Sequence, residues 1–383
     1  MNQKRRILLA PDSFKGCFSS IEVTALIEKA FKSVSDNFEF VSYPVADGGE
    51  GSLDAFSYFL KCQKKEVEVC GPDLKPIKIW YLIHEDKAFI ETSMICGFAS
   101  GTTLRDPKVA TSYGVGEAIL DAIKEGAKEI YVCVGGTLTN DGGAGALSAL
   151  GTRFYKNGSE FVPVGGTLAD ITSLDTNELD PLLSDVTVKI LSDVQNPLLG
   201  FKGATFTFAR QKGADEKELE KLEKGMQNLA EISENYVNKL KKDIPGSGCG
   251  GGLGWGLSLF LDSKILSGSK VICDLFNLKE EIAKADFVIT GEGKLDSQSL
   301  DGKLIGELSY LALEANKPLF VIVGKNELDD EQIKKLGITQ VFDFGRNYLT
   351  EDDISLNSRN DLYQACVDLA KRLISNSRVD RAK

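Results

Sequence analysis

Histidine is almost missing from this chain of 383 residues. The one present, His84, lies in Ile83-His84-Glu85-Asp86 between Tyr81 and Phe89, a pattern that reads as a hairpin tip. A surface-turn histidine is expected there. Ser-His-Asp hydrolysis, HExxH zinc chemistry and histidine phosphocarriers therefore lack their main residue, and acid–base work falls to carboxylates, lysine or water. Paired cysteines are missing as well. Cys17, Cys62, Cys70, Cys96, Cys133, Cys249, Cys273 and Cys366 form no CxxC pair. That argues against a disulfide frame or a zinc site and fits reduced thiols in the cytoplasm. No apolar run reaches the length of a signal h-region or a membrane span; the first, Ile7-Leu8-Leu9-Ala10, follows Lys4-Arg5-Arg6 directly. Positive charge is also in deficit, with 45 Lys and Arg against 56 Asp and Glu. The net charge of −11 excludes attraction to nucleic acid or an anionic membrane by the average field. Anionic small substrates stay open, because a local cluster of lysines and backbone N–H groups can override that mean.

Familiar phosphate motifs are absent too. No GxxxxGK[ST] occurs, so the chain is not a P-loop NTPase. Asp343-Phe344-Gly345 spells the metal-binding tripeptide of protein kinases, but no HRD accompanies it and a chance strand end is expected. Gly246-Ser247-Gly248-Cys249-Gly250-Gly251 matches GxGxxG by letter, yet it follows Lys241-Lys242-Asp243-Ile244-Pro245 rather than a strand. A phosphate-cradling loop ahead of a helix over 253–261 is what remains of that reading.

What the chain does have is glycine beside acidic, amide and hydroxyl residues. Five short loops show it: Pro11–Gly16, Ala46-Asp47-Gly48-Gly49-Glu50-Gly51, Thr139-Asn140-Asp141-Gly142-Gly143, Gly246–Gly252 and Thr290-Gly291-Glu292-Gly293-Lys294-Leu295-Asp296. Glycine lets N–H groups approach an anion, and carboxylates hold magnesium or accept a proton. The set points to a phosphate-handling enzyme.

The apolar fraction of 42% and charged fraction of 26% are those of an ordinary globular protein, and the length suggests two domains. The spacing predicts a strand over 7–10, a helix capped by Ser19 and Glu22, a strand over 38–45 and a helix over 53–60. Alternating stretches at 66–70, 77–83 and 88–92 read as antiparallel hairpins. A helix over 115–123 and strands over 129–134 and 186–191 follow. A long charged helix is expected over roughly 215–241, packed on its own domain rather than in a coiled coil. Strands over 287–290, 319–323 and 341–344 then alternate with helices over 303–315, 329–336 and 360–375. The expected fold is α/β, with two α/β domains facing a cleft. Residues 1–63 plus 288–383 form a Rossmann/flavodoxin-like parallel sheet built from both chain ends, and 64–287 form an inserted mixed-sheet domain.

The ordered series of blocks resembles the bacterial glycerate kinase family, type 1. The blocks are Ala10–Gly16, Pro44–Gly51, Gly135–Gly145, Asp193-Val194-Gln195-Asn196-Pro197, Gln211-Lys212-Gly213-Ala214 and Thr290–Ser299. The chain departs from that pattern at Tyr113, Arg210 and Leu304-Ile305, none of them in an acidic loop. The resemblance implies phosphorylation of D-glycerate by ATP with Mg2+, with 2-phosphoglycerate favoured over 3-phosphoglycerate. Asp47, Glu50, Asp141 and Asp193 are the candidate catalytic residues, Asp47, Asp141 and Asp193 also being candidate metal ligands. Candidate substrate and nucleotide contacts are Asp12, Ser13, Lys15, Gly48, Gly49, Arg105, Thr139, Asn140, Gly142, Gly143, Asn196, Gly248, Gly250, Gly291, Glu292, Gly293, Lys294, Asp296 and Lys303. Lysines would meet phosphate oxygens and Arg105 the glycerate carboxylate. Each acidic residue has an alternative as a turn residue bonding its own backbone. A kinase of a related hydroxy acid and a non-catalytic sugar-acid sensor also stay open.

Overall fold

The computed structural model describes residues 4–14, 16–179, 181–297, 299, 303–345 and 351–379, with side chains of the last helix over 357–375. The chain divides into two compact units, Met1–Asp47 with Ser269–Lys383, and Gly48–Gly268.

In the first unit, β1 (Arg5–Leu9), β2 (Phe38–Ser42), β12 (Phe287–Leu295), β13 (Leu319–Asn326) and β14 (Gln340–Asp343) form one sheet in the order β14-β13-β12-β1-β2. Every pairing is parallel. Such strands are covered on both faces, which is why they read as apolar runs rather than alternations. Helices α1 (Ser20–Val34), α9 (Gly268–Leu275), α10 (Leu278–Lys284), α11 (Leu304–Glu314), α12 (Asp330–Lys335) and α13 (Glu351–Val379) complete the unit. The first starts where the capping box predicts: Glu22 N donates to Ser19 Oγ at 3.2 Å, and Ser19 N donates to Glu22 Oε2 at 3.0 Å. It packs with α13 over Ile7, Leu9, Ile289 and Ile322, burying Ile27, Phe31, Leu362 and Leu369.

One expectation needs correction. The segment Thr290–Asp296, read as a loop, is mostly strand, because β13 offers a backbone edge out to Asn326. Gly291 pairs with Ile322, Glu292 with Val323 and Lys294 with Lys325. Gly291 serves this close pairing, since a Cβ there would collide with the Ile322 carbonyl.

The second unit carries β3 (Gln63–Cys70), β4 (Pro76–His84), β5 (Lys87–Glu91), β6 (Glu129–Cys133), β10 (Thr187–Leu191) and β11 (Lys264–Leu266) in the order β11-β10-β6-β5-β4-β3. From β3 to β5 the pairing is antiparallel, as the hairpin pattern indicates, and from β5 to β11 it is parallel. A small sheet of β7 (Arg153–Lys156), β8 (Ser159–Phe161) and β9 (Ser173–Asp175) was not legible, its strands being too short to show a period. Helices α2 (Ser52–Phe59), α3 (Ser93–Cys96), α4 (Tyr113–Lys124), α5 (Ala144–Ala149), α6 (Ala204–Phe208), α7 (Glu216–Val237) and α8 (Leu253–Phe260) belong to this unit. The long charged helix is α7: Asp215 caps it, Asn238 ends it in the left-handed region, and Leu219, Leu222, Met226 and Leu229 are buried within the unit. Helix α2 packs on β4 and β5, while α10 packs on β1 and α11. These contacts set the borders at 47/48 and 268/269, where 63/64 and 287/288 were expected. Among the described residues no helix is long and apolar enough to cross a membrane.

Candidate active site

In the first unit the chain runs from β1 to β2 in one direction across the sheet and from β12 through β13 to β14 in the other. The reversal falls between β1 and β12, and ligands of open parallel sheets bind outside the carboxyl ends of the strands at such a point. A cavity of about 450 Å³ lies there, and all five strands feed it. β1 leads into Asp12 and Ser13, β2 into Asp47, β12 ends with Glu292 to Lys294, β13 supplies Gly324 and Lys325, and β14 leads into Phe344. Asp296 and Lys303 complete the polar wall. Phe14, Phe18 and Phe344 form an apolar side, the rings of Phe14 and Phe344 lying 5.6 Å apart.

The carboxylates are held firmly. Asp12 is buried; its N–H donates to Gly291 O at 2.9 Å, and its Oδ1 accepts from Ser13 N at 2.6 Å. Ser299 Oγ donates to Glu292 Oε1 at 2.7 Å. Burial pushes the Glu292 carboxyl up to about 7; Ser299 and Lys303 oppose the rise, while Asp296 and Asp47 add to it. Lys294 is less available than expected, because its ammonium pairs with Glu327 at 2.8 Å and Asp296 at 3.4 Å. Lys303 sits at the N-cap of α11 and faces Glu292 electrostatically. Lys15 lies outside the described residues.

The second unit brings its glycine-rich loops to the carboxyl ends of β6 and β10. Asp193 is half-buried just beyond β10, and its Oδ1 accepts from Ser267 Oγ at 2.7 Å. Asn196 Nδ2 donates to Lys202 O at 2.7 Å and Thr207 Oγ1 at 3.3 Å. Gly48 has φ +84°, and a Cβ there would lie 2.8 Å from Gly268 Cα. A Cβ on Gly135 would lie 2.7 Å from Gly49 Cα, so these two loops stack backbone on backbone. Glu50 is exposed. The N–H groups beyond it are partly taken: buried Glu91 accepts from Gly51 N at 3.2 Å, Leu53 N at 3.1 Å and Ser93 Oγ at 2.6 Å. This loop gives to its own protein the donors that an anion would have used.

Asp141 is fully buried. Its Oδ2 accepts from Ser112 N and Ser112 Oγ, both at 2.8 Å, and its Oδ1 from Gly143 N at 3.1 Å. Burial raises its pKa against those bonds. Ser112, just ahead of α4, ties Asp141 to Ala146, whose N–H donates to Ser112 Oγ at 3.0 Å. Thr139 and Asn140 are buried beside it, Asn140 Nδ2 donating to Thr205 Oγ1 at 3.3 Å while its Oδ1 is buried without a partner. The glycine-rich stretch is filled by protein. A Cβ on Gly248 would strike Pro197 O, on Gly250 Val134, and on Gly251 Thr139 O, while Gly142 N donates to Gly251 O at 3.0 Å. These glycines permit loop stacking. A Cβ on Gly142 would strike Leu229, and on Gly143 would come within 3.3 Å of Leu253. Arg105 is exposed and bonds Thr102 O and Leu104 O locally, over the ring of Phe98.

The glycerate kinase family profile matches residues 7–374. The chain belongs to the glycerate kinase family. It is 40% identical over 307 residues to glycerate 2-kinase of Escherichia coli K12, covering 78% of this chain and 80% of that one. A Bacillus cereus glycerate kinase is 38% identical over 302 residues, covering 78% and 79%. A crystal structure of a protein provisionally assigned as glycerate kinase 2 from Salmonella typhimurium LT2 superposes with a TM-score of 0.80 at 32% identity, over 97% of this chain and 99% of that one. Membership makes the chain an enzyme with glycerate kinase activity, glycerate and ATP being the substrates the family implies. Three residues escaped sequence reasoning: Ser299, Glu91 and Lys212. Ser299 and Lys212 had a signal, since each stands inside a block that carries the family resemblance, whereas Glu91 had none.

Proposed function

We propose that the protein transfers the γ-phosphoryl group of ATP to the 2-hydroxyl of D-glycerate. One observation carries the reading: a cavity at the switch point of a parallel sheet, lined by Asp12, Asp47, Glu292, Asp296 and Lys303. Its volume falls in the range of small-ligand sites, roughly 300–1,000 Å³. The 2-position is supported by the E. coli relative, whose name is that of a 2-kinase.

Phosphoryl transfer asks a protein for positioning and charge neutralisation rather than covalent chemistry. Lys303, at the N-terminus of α11, would meet phosphate oxygens, and Phe14, Phe18 and Phe344 would exclude water. Among the described residues no three acidic, Cys or His groups form a ready-made cation cage. Magnesium fits such a wall, because it usually binds through one or two carboxylates, substrate phosphates and water. Asp12 and Asp47 would hold it, and it would supply neutralisation of the phosphate charge. Glu292 would accept the hydroxyl proton, since a base works best with a pKa near the operating pH. In the second unit we assign Asp193 and the loop 135–140 to glycerate, from their place at the carboxyl ends of β10 and β6. Asp141, Gly248 and Gly250 act through structure. Eight free thiols suit a reducing, cytoplasmic setting.

Phosphorus NMR of the product from D-glycerate and ATP tests both parts. The 2-ester couples its phosphorus to a single carbon-bound proton and gives a doublet, whereas the 3-ester gives a triplet. A triplet overturns the position, and an unchanged spectrum overturns the substrate.

A further inference from the structure

The loop 135–140 is pinned from two sides. On one side the contacts are backbone: Phe98 N donates to Gly136 O at 2.9 Å and Leu138 N to Cys96 O at 2.8 Å. On the other side stands a lysine. Lys212 is buried at 2% exposure, and its Nζ donates to Thr139 O at 2.7 Å and Thr137 Oγ1 at 3.3 Å. It gets there because the turn Arg210–Lys212 follows α6 and ends at Gly213, whose φ is +110° and whose Cβ would strike Arg105 O. Among the described residues no carboxylate forms a hydrogen bond with this ammonium. The groups facing it are Cys96, Asp141 and Cys249, acting at longer range. A carbonyl and a hydroxyl would be satisfied by a neutral donor, so a buried full charge here calls for a role beyond filling space.

We propose that Lys212 is a positioning residue for phosphoryl transfer, its buried ammonium fixing the loop 135–140 at the carboxyl end of β6. The inference rests on the assignment of that loop to glycerate. Burial lowers the Lys212 pKa to about 8, with Cys96, Asp141 and Cys249 opposing. The ammonium therefore discharges at mildly alkaline pH, and the loop loses its charged anchor there.

The test compares wild type with K212M and T137V. Steady-state rates on D-glycerate and ATP are measured across roughly pH 6–9.5, with amide hydrogen exchange of the peptide spanning 135–140. K212M should lose at least about tenfold in kcat while staying folded. The alkaline limb expected of wild type near pH 8 should be missing from K212M, and exchange should quicken in that peptide but not in β6. T137V, which keeps the lysine and removes one acceptor, should lower kcat by a few-fold and shift the limb. A folded K212M with wild-type kcat, limb and exchange overturns the proposal. If K212M does not fold, T137V decides: unchanged kcat and limb overturn it. Should wild type leave glycerate unphosphorylated, the substrate reading fails, and unchanged exchange in either variant still overturns loop fixing.

Discussion

Replacing Glu292 by Gln removes a charge and leaves the shape. The Ser299 Oγ bond at 2.7 Å can still be made to the amide oxygen, so the change isolates the carboxylate's electrostatics. In the folded chain the carboxyl titrates at about 7, against an ordinary 4.5. A carboxyl whose folded value is raised binds its proton more tightly when folded. Its favourable contribution is therefore present below the unfolded value and is lost as pH rises through the folded one. From about pH 4.5 to 7 that difference amounts to at most roughly 3 kcal/mol, and above pH 7 the ionised side chain opposes folding by that amount. E292Q should accordingly match wild type near pH 4 and exceed it near pH 8 by up to ~3 kcal/mol. For a unit of about 160 residues this is a rise in Tm of up to roughly 6–12 °C. Calorimetry of nucleotide-free, chelator-treated protein at the two pH values measures it. In parallel, turnover at neutral pH should fall by about 100-fold or more. A variant that melts at or below wild type near pH 8 refutes the burial argument. One that keeps turnover refutes the role as base.

Asp47→Asn should lower kcat by at least about 100-fold with Tm unchanged, and near-normal turnover would remove Asp47 from the chemistry. Asp141→Asn should behave in the opposite way. Its amide would face three donors, and the loss should be about 1–3 kcal/mol, read as a lower Tm, with turnover per folded molecule within a few-fold of wild type. A large fall in kcat at constant Tm would return Asp141 to the mechanism. Gly251→Ala places a Cβ onto Thr139 O at φ +68° and should destabilise by about 3 kcal/mol or more; a melt equal to wild type would show that the stack gives way.

The parallel sheet of the first unit was legible because its strands carry uninterrupted apolar runs such as Ile7-Leu8-Leu9, bounded by loops with strong turn chemistry. The hairpins β3 to β5 were legible for the opposite reason, a period of two on a half-covered face. Short elements escaped: β7, β8 and β9 hold three or four residues each, too few for any period to stand out. The border between units was missed because α2 follows β2 in the chain, yet its buried Leu53 and Phe56 serve β4 and β5. Sequence order says which elements are neighbours in the chain, and burial says which are neighbours in space.

The site divides along the same line. Glycine beside carboxylate is one spelling with two physical meanings, and local sequence cannot separate them. At Asp12, Asp47 and Glu292 the carboxylates line open volume at strand ends. At Asp141, Gly248, Gly250 and Gly251 the same letters describe tight internal packing, where a Cβ added to any of these glycines collides and the carboxylate accepts from N–H and O–H donors. At Asp141 the donors that take up the carboxylate come from distant parts of the fold, which local sequence does not show. Ser112 reaches Asp141 from 29 positions away, and Glu91 reaches the N–H groups of Gly51 and Leu53 from about 40. Lys212 is the converse case. Its letter suggests a solvated surface cation, yet the turn that closes at Gly213 with φ +110° leaves the ammonium in the interior. The role proposed for Lys212 therefore rests on where the fold buries the ammonium, which its neighbours in sequence do not reveal.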